Sequence, residues 1–277
     1  MTGETHMTAL TLTLAAPPAE TEDAPLDVGR IETHLLPGGG AIHHFATGAF
    51  NWYVVEEAGR LTLVDGGFPG HERIFRAGLA AIGRRERDLE AIVLTHAHAD
   101  HMGFIERVRR RTGAPVFVHA ADARAAQRRL RLPWTALLTN AWHPSVAGML
   151  WHATANGIFT QPAIAAVRTV EDGAALDIPG RPRVIHAPGH TPGEIALWLD
   201  GGRVLLAGDV LITRHLLRGH EGTPQLASRG LNADAQQANR SLDRVRGLGQ
   251  ALLLTGHGPA WQGDMAVAVA GARGLMR

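Results

Sequence analysis

The sequence predicts a layered α/β fold. Short apolar runs of strand length recur along the chain, and stretches of helical periodicity separate them. Several of the runs end in glycine beside a histidine or aspartate, so chemistry is expected at strand ends.

Composition narrows the function classes. A chain of 277 residues with 45% apolar and 19% charged side chains has ample sequence for one large core. The formal net charge of +1 gives no electrostatic case for nucleic acid or an anionic membrane surface. Every basic residue is arginine, and we attach no function to that. With no cysteine in the chain, disulfides, thiolate metal sites and cysteine nucleophiles are excluded, so a metal would need histidine and carboxylate ligands. No run approaches the ~18 apolar residues that span a bilayer, and no Lys or Arg precedes Arg30 as a signal peptide requires. A cytoplasmic protein is the expectation. Residues 1–28, with Pro17-Pro18 and an acidic stretch from Glu20 to Asp27, read as a flexible tail ahead of a domain over 29–277.

Within that domain, Ile31–Leu36, Asn51–Glu56 and Arg60–Asp65 read as strands, the last two joined by the hairpin-like Glu57-Ala58-Gly59. Asp65-Gly66-Gly67 closes the third run with a tight turn. A helix follows over 71–83, with Ile74, Phe75, Leu79 and Ile82 on one face. Ala91–Thr95 is a short apolar strand, Gly103–Arg111 a helix whose arginines form a solvated face, Pro115–His119 a strand and Ala120–Leu130 a helix. Residues 131–165 break this rhythm with Trp134, Trp142, Trp151, His143, His152 and Phe159. They read either as a satellite core or as a lid over a pocket. Strands resume at Val167–Val170, Arg183–His186, Glu194–Leu199 and Arg203–Ala207, with Asp200-Gly201-Gly202 turning between the last two. Asn232 reads as the N-cap of a helix over 233–248, Ala251–Leu254 as a buried strand and Asp264–Leu275 as a closing helix.

The chemistry concentrates in Thr95-His96-Ala97-His98-Ala99-Asp100-His101, directly after an apolar strand. Imidazole and carboxylate ligands suit zinc, with iron and manganese as competitors. A histidine-rich surface loop is the competing reading; the Asp-His pair at a strand end argues against it. Three later segments repeat the logic of an apolar strand ending in a ligand among glycines. They offer His190 in Gly-His-Thr-Pro-Gly, Asp209 in Gly-Asp, and His257 in Gly-His-Gly-Pro.

This ordered set resembles the metallo-β-lactamase-fold hydrolase superfamily over roughly residues 31–275. The resemblance implies an αββα sandwich, two face-to-face mixed sheets flanked by helices, with two divalent metals, zinc first and iron or manganese as alternatives, at one edge. It implies His96, His98 and His190 on one metal, Asp100, His101 and His257 on the other, and Asp209 bridging. Two cations sharing Asp209 leave room for a bridging water whose pKa falls from near 16 toward roughly 7. The resemblance thus makes Asp100 and Asp209 the expected catalytic carboxylates. His186 is read as supporting or structural, and His119 and His215 as packing or surface residues.

Departures from the better-known branches refine the expectation. Asp209 stands where true β-lactamases carry Cys or Ser. Only about twenty residues follow His257, fewer than the glutathione-binding region of glyoxalase II-like thioesterases needs. Acyl-homoserine-lactone lactonases carry a tyrosine soon after the bridging aspartate, whereas here Val210-Leu211-Ile212 follow and Tyr53 is the only tyrosine. The expected activity is cleavage of an ester, thioester or lactone of a small, partly apolar substrate. A persulfide dioxygenase-like oxidoreductase with a single iron is the alternative, with β-lactamase and phosphodiesterase activity behind it. Nucleic-acid and membrane partners are not expected, and the oligomeric state is not legible.

Overall fold

A computed structural model describes residues 9–13, 29–128 and 143–275. Two sheets carry the chain. The first has eight strands in sequence order: β1 (Ala9–Thr13), β2 (Arg30–Leu35), β3 (Ala41–Thr47), β4 (Phe50–Glu57), β5 (Arg60–Val64), β6 (Leu89–Val93), β7 (Val116–His119) and β8 (Arg168–Val170). The pairs from β1 to β5 are antiparallel and those from β5 to β8 parallel. Parallel neighbours need crossovers, and α1 (Glu72–Ala81), α3 (Ile105–Thr112) and α4 (Ala120–Ala126) lie in those connections. The second sheet runs β15 (Trp261–Asp264), β14 (Gln250–Leu254), β11 (Val204–Leu206), β10 (Ile195–Leu199) and β9 (Arg183–His186), with β11 and β14 parallel. A ribbon of β12 (Ile212–Arg214) and β13 (Glu221–Gln225) stands apart.

Three apolar clusters define four layers, the αββα sandwich. Phe45, Trp52, Phe75, Phe104 and Ile105 join the first sheet to its helices. Ile42, Val55, Val93, Leu197, Leu206 and Leu254 fill the space between the sheets. Trp198, Leu205, Leu253, Leu242 and Val269 join the second sheet to the helices Ala235–Ser241, Asp243–Arg246 and Met265–Gly274. Strand alternation produces this division: in β3, Ile42 faces the opposite sheet and Phe45 the helices. Phe104 is fully buried against Trp52 and Phe75, so Phe104→Ala is expected to cost about 3–5 kcal/mol in a denaturant melt.

Several boundaries differ from the sequence reading for identifiable reasons. Strand β3 is missed because buried His43 and His44 interrupt its apolar alternation. Residues 9–13, within the segment read as a tail, form β1 on the edge of β2; the other residues of 1–28 lie outside the described set. The helix read over 233–248 breaks at Leu242 into two pieces, and its N-cap is Asp234, which accepts from the Gln237 amide, rather than Asn232. Trp134 and Trp142 lie outside the described residues, whereas Trp151 is 76% exposed on the helix Pro144–Ala155. Among the described residues no helix is long and apolar enough to cross a membrane.

Candidate metal centre

The seven expected ligands converge from four strand ends. His96 and His98 follow β6, and Asp100 and His101 lie in the short helix α2 (Ala99–Met102). His190 follows β9, Asp209 follows β11 and His257 follows β14. The loops need glycine to close around them. A Cβ at Gly256 would lie 2.3 Å from Asp209 Oδ1, and one at Gly208, where φ is +52°, would lie 2.6 Å from the Thr95 side chain. Asn51 pins the third loop by donating from Nδ2 to the Thr255 and Gly258 carbonyls at 2.8 and 2.7 Å.

Two groups form around one shared carboxylate. His98 Nδ1 lies 3.1 Å from His96 Nε2 and 2.9 Å from His190 Nε2. His257 Nε2 lies 3.5 Å from Asp100 Oδ2. Asp209 Oδ2 stands between the groups, 3.3 Å from His190 Nε2 and 3.1 Å from His257 Nε2, and Oδ1 is 3.7 Å from His101 Nε2. Potential ligand atoms of His96-His98-His190, of Asp100-His101-His257 and of His96-His101-Asp209 each fall within 4.8 Å of one another. His96, His101, His190, Asp209 and His257 are buried, while His98 and Asp100 are half-buried and face the opening.

The outer partners fix the imidazoles. His101 Nδ1 donates to Asp65 Oδ2 at 2.9 Å, and the same carboxylate accepts from the Thr95 amide and hydroxyl, both at 2.8 Å. His257 Nδ1 donates to the Ala49 carbonyl at 2.8 Å, and His190 Nδ1 to Asn232 Oδ1 at 3.2 Å. His96 Nδ1 lies 3.0 Å from Thr95 Oγ1 and 3.3 Å from Glu194 Oε2. Each Nδ1 is thereby occupied, and Nε2 of these four rings is turned inward, the ring orientation that cation binding requires. His101 Nε2, His257 Nε2 and Asp209 Oδ1 are buried with no hydrogen-bond partner among the described residues. Buried polar atoms left so are costly, and inward-facing nitrogens around a carboxylate fit a divalent transition metal.

Electrostatics follow from the same packing. Burial, with neighbouring imidazoles, lowers His96 far below its usual value and His190 to about 3, and burial also lowers His98. Burial likewise opposes charge on His101 and His257, but Asp65 and Asp209 outweigh it for His101, raising it to about 10, and Asp209 outweighs it for His257. Burial also disfavours the Asp209 carboxylate, yet His257 and His101 hold it well below the usual range. Burial and the nearby Asp209 charge push Glu194 well up.

Sequence reasoning missed Asp65, Asn232, Glu194 and Asp122 as supports. Asp122 accepts from the Ala97 and Gly193 amides and the Thr191 hydroxyl, tying the His96 and His190 loops together. Asp65 has φ of +62°, an uncommon conformation for a non-glycine residue, and its placement before Gly66-Gly67 is the signal available in sequence. Asp65→Ala is expected to weaken metal affinity about 10–100-fold, read by competition with a chromophoric chelator. His186 stacks on His119 at 3.8 Å, and His215 bonds Ser228 and the Arg218 amide; none of the three joins the centre.

An apolar cavity of about 100 Å³ opens onto the centre, walled by Phe50, Phe68, Met149, Leu150, Ala153 and Ile158, with Asp100, Asp209 and His257 at its base. Three of these walls come from the helix Pro144–Ala155, so the described part of the 131–165 excursion borders the pocket. A wider cleft of about 490 Å³ shares His98 and His190 and carries Arg124 and Arg128. Tyr53 lies elsewhere, buried, with its hydroxyl donating to the Thr255 carbonyl at 2.6 Å.

Comparison with known proteins agrees with this architecture. The family model of the metallo-β-lactamase superfamily matches residues 47–257. The chain is 29% identical over 237 residues to the probable metallo-hydrolase YflN of Bacillus subtilis, covering 78% of this chain and 83% of that one. It is 32% identical over 146 residues to a hydroxyacylglutathione hydrolase of Rhodobacter capsulatus, covering 53% of this chain and 43% of that enzyme. Among solved structures, a metallo-β-lactamase family protein of Thermus thermophilus superposes with a TM-score of 0.60 at 26% identity, over 82% of this chain and 74% of that one. With the ordered ligand motifs, the four-layer sandwich and a family match across most of its length, the chain belongs to the metallo-β-lactamase superfamily of metallo-hydrolases.

Proposed function

We propose that this chain is a two-metal hydrolase that cleaves an ester, thioester or lactone of a small, partly apolar substrate. The observation that carries the reading is the position of Asp209. Its carboxylate touches both ligand groups at the base of an apolar cavity. His96, His98 and His190 would hold one cation, Asp100, His101 and His257 the other, and Asp209 both. When bound, the cations supply Lewis-acid polarisation of the scissile carbonyl and lower the pKa of water toward roughly 7, with zinc the first candidate.

The chain's own residues do the rest. Asp209, held ionised by His257 and His101, supplies the shared negative charge. Half-buried Asp100 faces the cavity and is placed to hold a proton and pass it to the leaving group. Phe50, Phe68 and Ile158 bind the apolar part of the substrate and exclude water, while the wider cleft accommodates the remainder. The likeness to a hydroxyacylglutathione hydrolase, by its name a thioester hydrolase, supports the substrate class. A panel of thioester, ester, lactone, β-lactam and phosphodiester substrates offered to the metal-loaded protein tests it. Turnover is expected on the first three, and turnover confined to the last two rejects the reading.

Filling the cavity provides a narrower check. Ala153 is buried in its wall, so Ala153→Phe is expected to lower kcat/KM for bulky apolar acyl groups by about tenfold or more. Metal content and turnover of the smallest acyl substrate are expected to stay near wild type. Equal losses across acyl sizes would detach the cavity from substrate selection.

A further inference from the structure

A second set of metal-type side chains lies in the first sheet, on strands β2 and β3, where no catalytic motif contributes. Glu32 pairs with His44 across the two strands, and His34 is two residues beyond Glu32 on the same face. Alternation turns these side chains toward the space between the sheets, the face shared by Ile42 and Tyr53. Potential ligand atoms of Glu32, His34 and His44 lie within 4.8 Å of one another.

Their lack of hydrogen bonds distinguishes these residues from ordinary core histidines. His34 is 3% and His44 1% exposed. His34 Nε2 and both nitrogens of His44 are buried without a hydrogen-bond partner of normal geometry among the described residues. The neighbouring His43, on the opposite face, meets Thr33 at 2.9 Å and Glu56 at 3.2 Å. Buried imidazole nitrogens are seldom left open, because each forfeits a hydrogen bond it had in water. The His34 and His44 rings lie nearly parallel with centroids 6.4 Å apart, and Tyr53 stacks on the far side of His44 at 4.9 Å. The Glu32 side chain is 21% exposed, leaving an approach from solvent, and its Oε1 is 3.9 Å from His34 Nε2.

We propose that Glu32, His34 and His44 form a further cation site, for a divalent transition metal such as zinc, separate from the centre around Asp209. Two imidazoles and one carboxylate match the donor preference of zinc and leave a coordination position for water on the Glu32 side. One anionic ligand leaves the site with a net charge of +1 when a divalent cation is bound. Burial lowers His44 to about 4, opposed by its contact with the Asn51 side chain and furthered to a smaller degree by His34 and Arg30. Burial lowers His34 too, against the pull of Glu32. The role is structural: clamping β2 to β3.

Zinc counting tests the proposal on the full chain. The protein is stripped with a chelator, reloaded with excess zinc, desalted and assayed for zinc per chain. Glu32→Gln and His34→Gln, each with wild-type circular dichroism, are expected to bind about one zinc fewer than wild type and to melt at a lower temperature only in the zinc-loaded form. An unchanged count in either folded variant overturns the site. Asp209→Ala lowers the count at the pocket and leaves the zinc removed by His34→Gln in place, so failure of one site is read separately from failure of the other. Should both variants misfold, anomalous scattering from zinc-loaded wild-type crystals decides. A peak within bonding distance of His34 Nε2 and His44 upholds the site, and no peak there refutes it.

Discussion

Asp209→Ala is expected to lower turnover by about a thousandfold or more, which corresponds to roughly 4 kcal/mol of transition-state stabilisation. The magnitude follows from its position. One carboxylate is within 3.3 Å of His190 and 3.1 Å of His257, so its loss removes a ligand from both groups at once. It also leaves His101 and His257 buried with less opposing charge, and the metal-free variant is expected to be less stable than metal-free wild type. The sign is that of a depressed carboxylate. The Asp209 contribution is present above the unfolded value near 3.9 and is lost as pH falls through its lower folded value. The difference in stability between wild type and variant should therefore be full at pH 7 and shrink in acid. A variant retaining a tenth of wild-type kcat/KM would remove Asp209 from the shared position.

Chelation is expected to produce the second large effect, a fall in thermal midpoint that grows with pH. Without metal, His101 carries its proton up to about pH 10, and the His257 value is also raised. A cation must displace those protons, so binding at pH 7 releases about one to two protons per chain, and apparent affinity rises with pH. Metal-derived stabilisation grows with affinity as the logarithm of ligand over Kd, so it should be smaller at pH 6 than at pH 8. In the metal-free protein the His101 contribution runs the other way, fully present below its unfolded value near 6.5 and lost as pH rises through about 10, while the lowered His96, His98 and His190 favour the fold more as pH rises toward 7. Paired melts with and without chelator at several pH values measure the difference. A gap that narrows with rising pH would contradict this account of His101 and His257.

The candidate ligands were legible in sequence because each motif follows an apolar run, three of them among glycines, and their order along the chain carries the information. His96 and His257 share no local pattern, yet both are strand-end residues, and the fold brings strand ends to one edge. The supports were not legible. Asp65 touches His101 across 36 residues and looks like part of a glycine turn. Asn232 lies 42 residues from His190 and looks like a helix cap, a role that Asp234 fills instead. Such contacts leave no periodicity. The same limit hid β3: a strand whose His43 bonds Glu56 and whose His44 stacks on Tyr53 does not alternate between apolar and polar. The layered fold was readable because apolar runs such as Ile92-Val93-Leu94 and Leu252-Leu253-Leu254 are buried on both faces.

Anomalous diffraction at the absorption edge of the bound metal, from metal-loaded crystals, tests the two-metal centre most directly. The expected result is a pair of peaks flanking Asp209, one among His96, His98 and His190 and the other among Asp100, His101 and His257. A single peak confined to one group, iron by its edge, would contradict the two-metal hydrolase and favour a mononuclear oxidoreductase in its place.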